Sequence, residues 1–213
     1  MRRGNVDDAE RLKADMLAAA MELFKEGGVD AVSVRQVAAK VGIASMTPYR
    51  YFESKGAMLT GLWQHAMSSL LVALRMAVER ERGWLAKHVA LIAAFLDYWE
   101  SHPDEFRLVY QTQSMLMGKD MKSGVGVPEY DAILSLGHDV TAQLAKEIGA
   151  SDRWVQIACD IRLAMKFGFL QASMVNRRFP WSDLALMRRA YVNQVAESVE
   201  RVLLDGPGRK VRL

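Results

Sequence analysis

The sequence predicts an all-α protein, and three observations carry that prediction. Apolar residues recur at three- and four-residue intervals along most of the 213 residues, the period of a helix that buries one face. Helix punctuation, with Ser or Asp before a stripe, Pro at its first position and Gly at its end, falls between the stripes. No convincing strand interrupts them, and no repeat at a solenoid period is visible. About nine helices result. An apolar content of 51% supports a substantial core, and 25% charged residues is ordinary for a globular chain.

Residues 1–6 read as a loose arm carrying Arg2 and Arg3. The first helix then runs from about Asp7 to Lys25, with Leu12, Met16, Ala20, Leu23 and Phe24 inward and Glu10, Lys13 and Glu22 outward. Asp7 and Asp8 suit the positive end of its dipole, and Gly27-Gly28 stops it. The stretch Ser33–Phe52, SVRQVAAKVGIASMTPYRYF, reads as two short helices about a glycine turn. Ser33 and Gln36 form a capping box, the hydroxyl taking the Gln36 backbone N–H while the amide reaches back. Val34, Val37, Ala38 and Val41 share one face. Gly42 stands where a left-handed residue is wanted, and Ile43 packs the turn inward. Ser45 caps the second short helix, with Pro48 in its first turn.

Ser54 caps a helix from Lys55 to about Glu81, with Leu59, Leu62, Trp63, Ala66, Leu70 and Leu74 on its inner stripe and no linker before it. Gly83 precedes a helix from Trp84 to about Glu100. Pro103 with Asp104 and Glu105 restarts one that reaches about Met117. Gly118–Pro128, GKDMKSGVGVP, is the one long loop. A helix from Pro128 to Ile148 ends at Gly149. Ser151 caps the next, Asp152 to about Asn176, which is apolar on nearly all sides, and Ser182-Asp183 opens the last. The expected organisation is a three-helix domain over 1–54, a larger helical domain over 55–205 and a basic tail over 206–213 with Arg209, Lys210 and Arg212.

A helix, a tight turn and a second short helix make a helix-turn-helix, whose second helix lies in the major groove. That second helix shows Ser45, Met46, Thr47, Tyr49, Arg50 and Tyr51. From Arg35 to Lys55 the cations Arg35, Lys40, Arg50 and Lys55 face Glu53 alone. Hydroxyls and cations bond phosphates and base edges. A helical hairpin with a solvated polar face is the plainer alternative.

The run Gly42–Leu59, GIASMTPYRYFESKGAML, resembles the signature of TetR-type (tetracycline-repressor-like) bacterial transcriptional regulators. Ala44, Met46 and Pro48 stand where that signature usually has Ser, Gly and Leu. The resemblance implies a homodimeric regulator, most often a repressor, that leaves a palindromic DNA operator when a small effector fills the larger domain. It also makes Tyr49 and Lys55 the foremost phosphate contacts, with Tyr51 standing where the family often has His. By their chemistry Thr47 and Arg50 suit the groove, where Arg meets guanine and the Thr methyl meets thymine, and Arg35 and Gln36 suit the backbone. Arg2 and Arg3 form either a basic tip or an arm that reaches a minor groove.

For the effector the resemblance implies a site among the helices of the larger domain. Trp63, Met67, Leu71, Phe95, Trp99, Phe106, Tyr110, Met115, Met117 and Met121 suit an adaptable, largely apolar ligand, and the chain's 13 methionines add softness. His138, Gln111 and Gln113 are the polar anchors. Each of these also reads as plain core. The last two helices are the expected dimer interface, through Ile161, Met165, Phe169, Leu184, Met187, Tyr191, Val195 and Val202, packed as a four-helix bundle with their symmetry mates. A monomer with a well-filled core is the alternative.

Other classes are disfavoured. The single cysteine, Cys159, sits among apolar neighbours and allows neither an internal disulfide nor a Cys-based zinc site. His65, His88, His102 and His138 fall on separate helices with no pair at metal spacing. No Gly-rich phosphate loop, nucleophile elbow or HExxH occurs, so no cofactor and no enzymatic activity are expected. A helical small-molecule-binding or adaptor protein with little DNA binding remains the second reading, and a small all-α enzyme the third. The acidic amphipathic start is no signal peptide, and no uninterrupted apolar run is long enough to span a bilayer. The expected setting is the cytoplasm, with DNA, an effector and a second copy as partners and no membrane.

Overall fold

The computed structural model describes residues 3–111, 128–176 and 179–208. Among these are eight α-helices and no strand: α1 Arg3–Ala31, α2 Val34–Val41, α3 Lys55–Arg80, α4 Trp84–Ser101, α5 Pro103–Phe106, α6 Pro128–Glu147, α7 Val155–Leu170 and α8 Leu184–Asp205. Two compact units form. One takes residues 3–67 and 104–111, the other residues 68–103, 128–176 and 179–208. The expected long loop over 118–127, Met115, Met117, Met121, Gln113, Arg2 and the tail arginines lie outside the described residues.

In the first unit α1 begins at Arg3 rather than Asp7, since no proline ahead of Asp7 halts it. Its geometry breaks at Gly27 (φ −149°, ψ 20°) and Gly28 (φ 68°, ψ −157°), where the glycine pair was expected to stop it, and resumes to Ala31. Ser33 caps α2 by accepting the Gln36 N–H at 3.2 Å. The Gln36 side chain does not reach back to the Ser33 N–H; its Oε1 accepts the Ser33 hydroxyl at 2.7 Å instead. Gly42 ends α2 at φ 76°, ψ 32°. Its N–H bonds the Ala39 carbonyl and that of Ile43 bonds Ala38, the paired closure of a left-handed helix end.

The second element of the motif differs from expectation. It is a single 3-10 turn, Thr47–Arg50, and Ser45 does not cap it. Pro48 stands in its first turn without an N–H to give, and the segment closes as a 3-10 turn rather than an α-helix. Instead Thr47 N–H bonds the Ala44 carbonyl at 2.8 Å, and Tyr51 and Phe52 both donate to the Pro48 carbonyl at 2.9 Å. This accounts for eight α-helices where about nine were expected.

Met16, Ala20, Phe24, Val32, Val37, Phe52, Met58, Leu59 and Leu62 fill this unit's core, joined by Leu108 from the returning segment. Each large side chain buried there contributes roughly 1.5–3 kcal/mol. Arg107, in the π turn Arg107–Gln111 after α5, donates to the Phe24 carbonyl at 3.1 Å and lies over the Phe24 ring at 4.9 Å. It thereby ties the returning segment to a carbonyl just ahead of the α1 kink.

In the second unit α4, α6, α7 and α8 pack on one another, with Leu144, Ala145, Val155, Ala158, Val199, Val202 and Leu203 between them. Gly83 offers α4 no side-chain cap, and the Glu147 carboxylate supplies one, accepting Trp84 N–H at 2.9 Å and Leu85 N–H at 3.3 Å. Arg188 of α8 clamps α4 through Asp97 at 2.5 Å, Glu100 at 2.7 Å and the Ala93 carbonyl at 3.2 Å. The Tyr191 hydroxyl donates to the Met165 carbonyl at 2.6 Å. Ser151 caps a 3-10 turn, Asp152–Trp154, before α7 proper, and a π turn, Gln171–Val175, follows it. Within the chain α7 buries one face rather than all of them: Val155, Ala158, Arg162, Lys166 and Phe169 are inside, while Gln156, Ile157 and Asp160 are exposed.

By length and composition α3 could cross a membrane, but half of its most apolar window is buried within the protein. Thr60, Gln64, His65 and Ser68 lie along its exposed side, as on an ordinary amphipathic core helix.

Candidate nucleic-acid interface and ligand cavity

Val34, Val37, Ala38, Pro48 and Phe52 are all buried, which turns the rest of the motif outward. Arg35, Gln36, Ser45 and Arg50 are exposed, as are Met46 at 70% and Tyr49 at 48%. Thr47, Tyr51 and Lys55 are half-buried, the Tyr51 ring resting on the core. Ser54 caps α3 through the Ala57 N–H at 3.1 Å, which sets Lys55 at the start of that helix.

The cations are not equivalent. Lys40 is held by Glu22 at 3.1 Å and Glu26 at 3.2 Å. Its hydrogen bonds to Glu22 and then Glu26 raise its pKa, so its charge is neutralised within the fold. Arg35, Arg50 and Lys55 have no carboxylate partner among the described residues. Three free cations beside the hydroxyls of Ser45, Thr47, Tyr49 and Tyr51 can bond phosphate oxygens and base edges.

The second unit holds a cavity of about 470 Å³. Leu74 of α3, Leu91 and Phe95 of α4, Ile133 and Leu134 of α6 and Leu163 of α7 give it apolar walls. Arg162 and Lys166 also line it, though only 5% and 6% exposed. Arg162 Nη1 donates to the Thr141 hydroxyl and lies 3.5 Å from His88 Nδ1. Thr141 in turn donates to the Gly137 carbonyl at 2.8 Å. Lys166 Nζ sits 3.8 Å from the centre of the Phe95 ring.

Burial dominates the electrostatics here. It pushes Lys166 well below the usual lysine range, Arg162 adding repulsion, and lowers Arg162 as well. Burial and then the charges of Arg162 and Lys166 take His88 down to about 3, so its ring is neutral at physiological pH. The acids of the lining, Asp139 and Asp160, are exposed; Asp160 accepts from Gln156 at 2.9 Å and Asp139 lies 3.9 Å from His138 Nδ1.

Residues 16–62, which span α2 and the 3-10 turn, match the family model described as bacterial regulatory proteins, tetR family. Residues 16–62 carry the helix-turn-helix segment that this family model describes. It is 26% identical over 110 residues to the HTH-type transcriptional activator FasR of Mycolicibacterium smegmatis, a match covering 52% of this chain and 50% of that protein. The match thus spans about half the length of that curated relative. A protein of unknown function from Rhodococcus sp. RHA1 has the same fold, with a TM-score of 0.72, 21% identity and coverage of 87% of this chain and 94% of that one. A TetR family transcription regulator from Marinobacter aquaeolei VT8 superposes with a TM-score of 0.64 at 16% identity, covering 90% and 96%. The matched segment is that of bacterial regulatory proteins, and the fold is shared with these solved structures.

All nine motif residues are exposed or half-buried, and the element that carries Thr47, Tyr49 and Arg50 is a 3-10 turn. The expected ligand residues scatter. Phe95 and His138 line the cavity. Trp63, Met67, Phe106 and Tyr110 belong to the amino-terminal unit, and Leu71 and Trp99 are buried side chains outside the cavity lining. Of the expected interface residues, Phe169, Val195 and Val202 are buried in the chain's own core, because α7 and α8 turn those positions toward each other and α6. Ile161, Met165, Met187 and Tyr191 are half-buried and Leu184 is exposed. Sequence reasoning missed Arg162 and Lys166. The available signal was two cations four residues apart, on the same face as Val155, Ala158 and Phe169.

Proposed function

We propose that this chain is a homodimeric transcriptional repressor that holds a palindromic DNA operator and leaves it when a small effector enters the cavity. The single observation that supports the reading most is the outward surface of the helix-turn-helix, where Arg35, Arg50 and Lys55 have no acidic partner among the described residues and stand with Tyr49, Thr47 and Ser45. In this reading residues 1–54 form the DNA-reading head, 55–205 the effector and dimerisation body, and 206–213 a basic tail. Each subunit sets one turn of residues into a major groove, so half-sites lie about 34–36 Å apart or a multiple of that.

The outer faces of α7 and α8 join the two copies, through Ile161, Met165, Leu184, Met187 and Tyr191 with Ile157 and Leu186 beside them. α3 runs unbroken from Lys55 beside the motif to Arg80, and Leu74 on it lines the cavity. It is the element through which effector occupancy alters DNA affinity. A coupling of about 1–3 kcal/mol changes operator affinity by about 5–150-fold. The protein acts in the cytoplasm, without a membrane partner or catalytic activity of its own.

The test is selection of bound duplexes from a random pool by the purified full chain. Enrichment of a palindrome whose binding falls steeply with salt is expected; no preference for any duplex at low salt would overturn the reading. A reporter carrying the selected operator then settles direction, since expression that rises when the gene is deleted marks a repressor.

A further inference from the structure

We infer that the cavity of the second unit receives an organic anion, a carboxylate on an apolar body, whose charge is met by Arg162 and Lys166. This rests on the effector reading above and names the chemistry of that effector, replacing a purely apolar ligand with an amphiphilic one.

Lysine and arginine are almost never buried unless paired, and a buried cation without an anion is costly. Here two such cations lie one helical turn apart on the same face of α7, both lining one cavity. Neither has a carboxylate partner among the described residues. Their neighbours are the Thr141 hydroxyl, the His88 ring, the Phe95 ring and the side chain of Cys159, which hydrogen-bonds Arg162, and none of these is a carboxylate. The acids of the lining are out in solvent, where water screens them, while the cations act through a low-dielectric interior. The site is therefore electrostatically incomplete, and the missing charge is negative.

The geometry of Arg162 points to a carboxylate. Its Nη1 is taken by Thr141. Its Nε is buried with no partner among the described residues, and Nη2 meets no carboxylate. Nε and Nη2 form the side-on edge of a guanidinium, the two-donor fork that matches a carboxylate. Above it Leu74, Leu91, Phe95, Ile133 and Leu134 offer hydrocarbon, and about 470 Å³ lies within the range of small-molecule sites.

The experiment titrates the full chain, without DNA, with hexanoate, octanoate, decanoate and dodecanoate, with the alcohol and the amine of each chain length, and with decyl phosphate. Calorimetry reads binding and circular dichroism reads folding. At least one acid is expected to bind saturably and about ten-fold or more tightly than its alcohol, with the amine weaker still. Arg162→Met and Lys166→Met should each erase that preference while melting cooperatively. Alcohols that bind as well as acids, a preference that survives both variants, or no binding by any acid would overturn the inference; decyl phosphate outbinding decanoate would overturn the carboxylate. Because no DNA is present, this result and the duplex selection can fail independently.

Discussion

Arg162 donates a hydrogen bond to the hydroxyl of Thr141, and both residues are buried. The hydroxyl spends its own proton on the Gly137 carbonyl, so one threonine orients a guanidinium against helix α6. Thr141→Val keeps the shape and removes the acceptor, leaving a buried charged donor unpaired. A loss of about 1–3 kcal/mol follows, measurable by urea denaturation. Gly137→Ala acts differently: its methyl would stand 2.5 Å from Arg162 Nη2. The flexible guanidinium end must shift, so anion affinity should fall by more than stability does.

Lys166→Met should make the protein more stable at neutral pH. The lysine is held well below its ordinary pKa by burial, so the folded chain carries fewer protons than the unfolded one below about 10.5, and stability is lost as pH falls through that window. Replacing the buried ammonium by an apolar side chain of similar length removes its desolvation penalty. Thermal melts at pH 7 and pH 9 check this, with a gain that shrinks at the higher pH.

His88 adds an acid-sensitive contribution. Its folded pKa of about 3, against 6.5 unfolded, means the unfolded state takes the proton first. Stability therefore falls as pH drops below about 6.5, by up to about 1.4 kcal/mol per pH unit from this group. His88→Leu should flatten the difference between denaturation at pH 7 and pH 5; an unchanged slope would place the loss elsewhere.

The motif has two backbone devices that can be tested without DNA. Gly42→Ala forces a side chain into φ 76° and should cost about 1 kcal/mol. Ser33→Ala removes the α2 cap at a cost of about 0.5–2 kcal/mol. Both are read by chemical denaturation, and neither should alter α4, α6, α7 or α8 by hydrogen exchange.

On DNA, Tyr49→Phe and Lys55→Ala should weaken every duplex alike, and Lys55→Ala should lower the salt slope by about one. Arg50→Ala should instead relax base preference at one position of each half-site. Competition binding against single-base operator variants separates the two behaviours.

How much of this was legible in the sequence depended on whether the cause was local. The Ser33 cap, the Gly42 turn and the outward run from Ser45 to Lys55 rest on contacts within a few residues, and the residues announced them. Pro48 read as an ordinary first-turn residue of a second helix, and propensity alone did not show that the outcome would be a 3-10 turn. The cavity was not legible because Gly137, Thr141, Arg162 and Lys166 meet through packing between α6 and α7. A large apolar residue such as Trp99 or Met67 has the same helical spacing whether it fills a core or faces a ligand. Phe169, Val195 and Val202, expected at an interface, fill the chain's own core for the same reason: spacing identifies an apolar stripe without saying which neighbour covers it.

Leu108 fills the amino-terminal core and Arg107 secures the Phe24 carbonyl, so the reading head is not a contiguous cassette. A chimaera built by grafting residues up to Met67 onto another regulator would arrive with a hole where Leu108 belongs and a loose end at the α1 kink. Exchange of DNA specificity between such proteins should succeed when residues 104–111 travel with the graft, or when only the exposed side chains from Arg35 to Lys55 are transplanted.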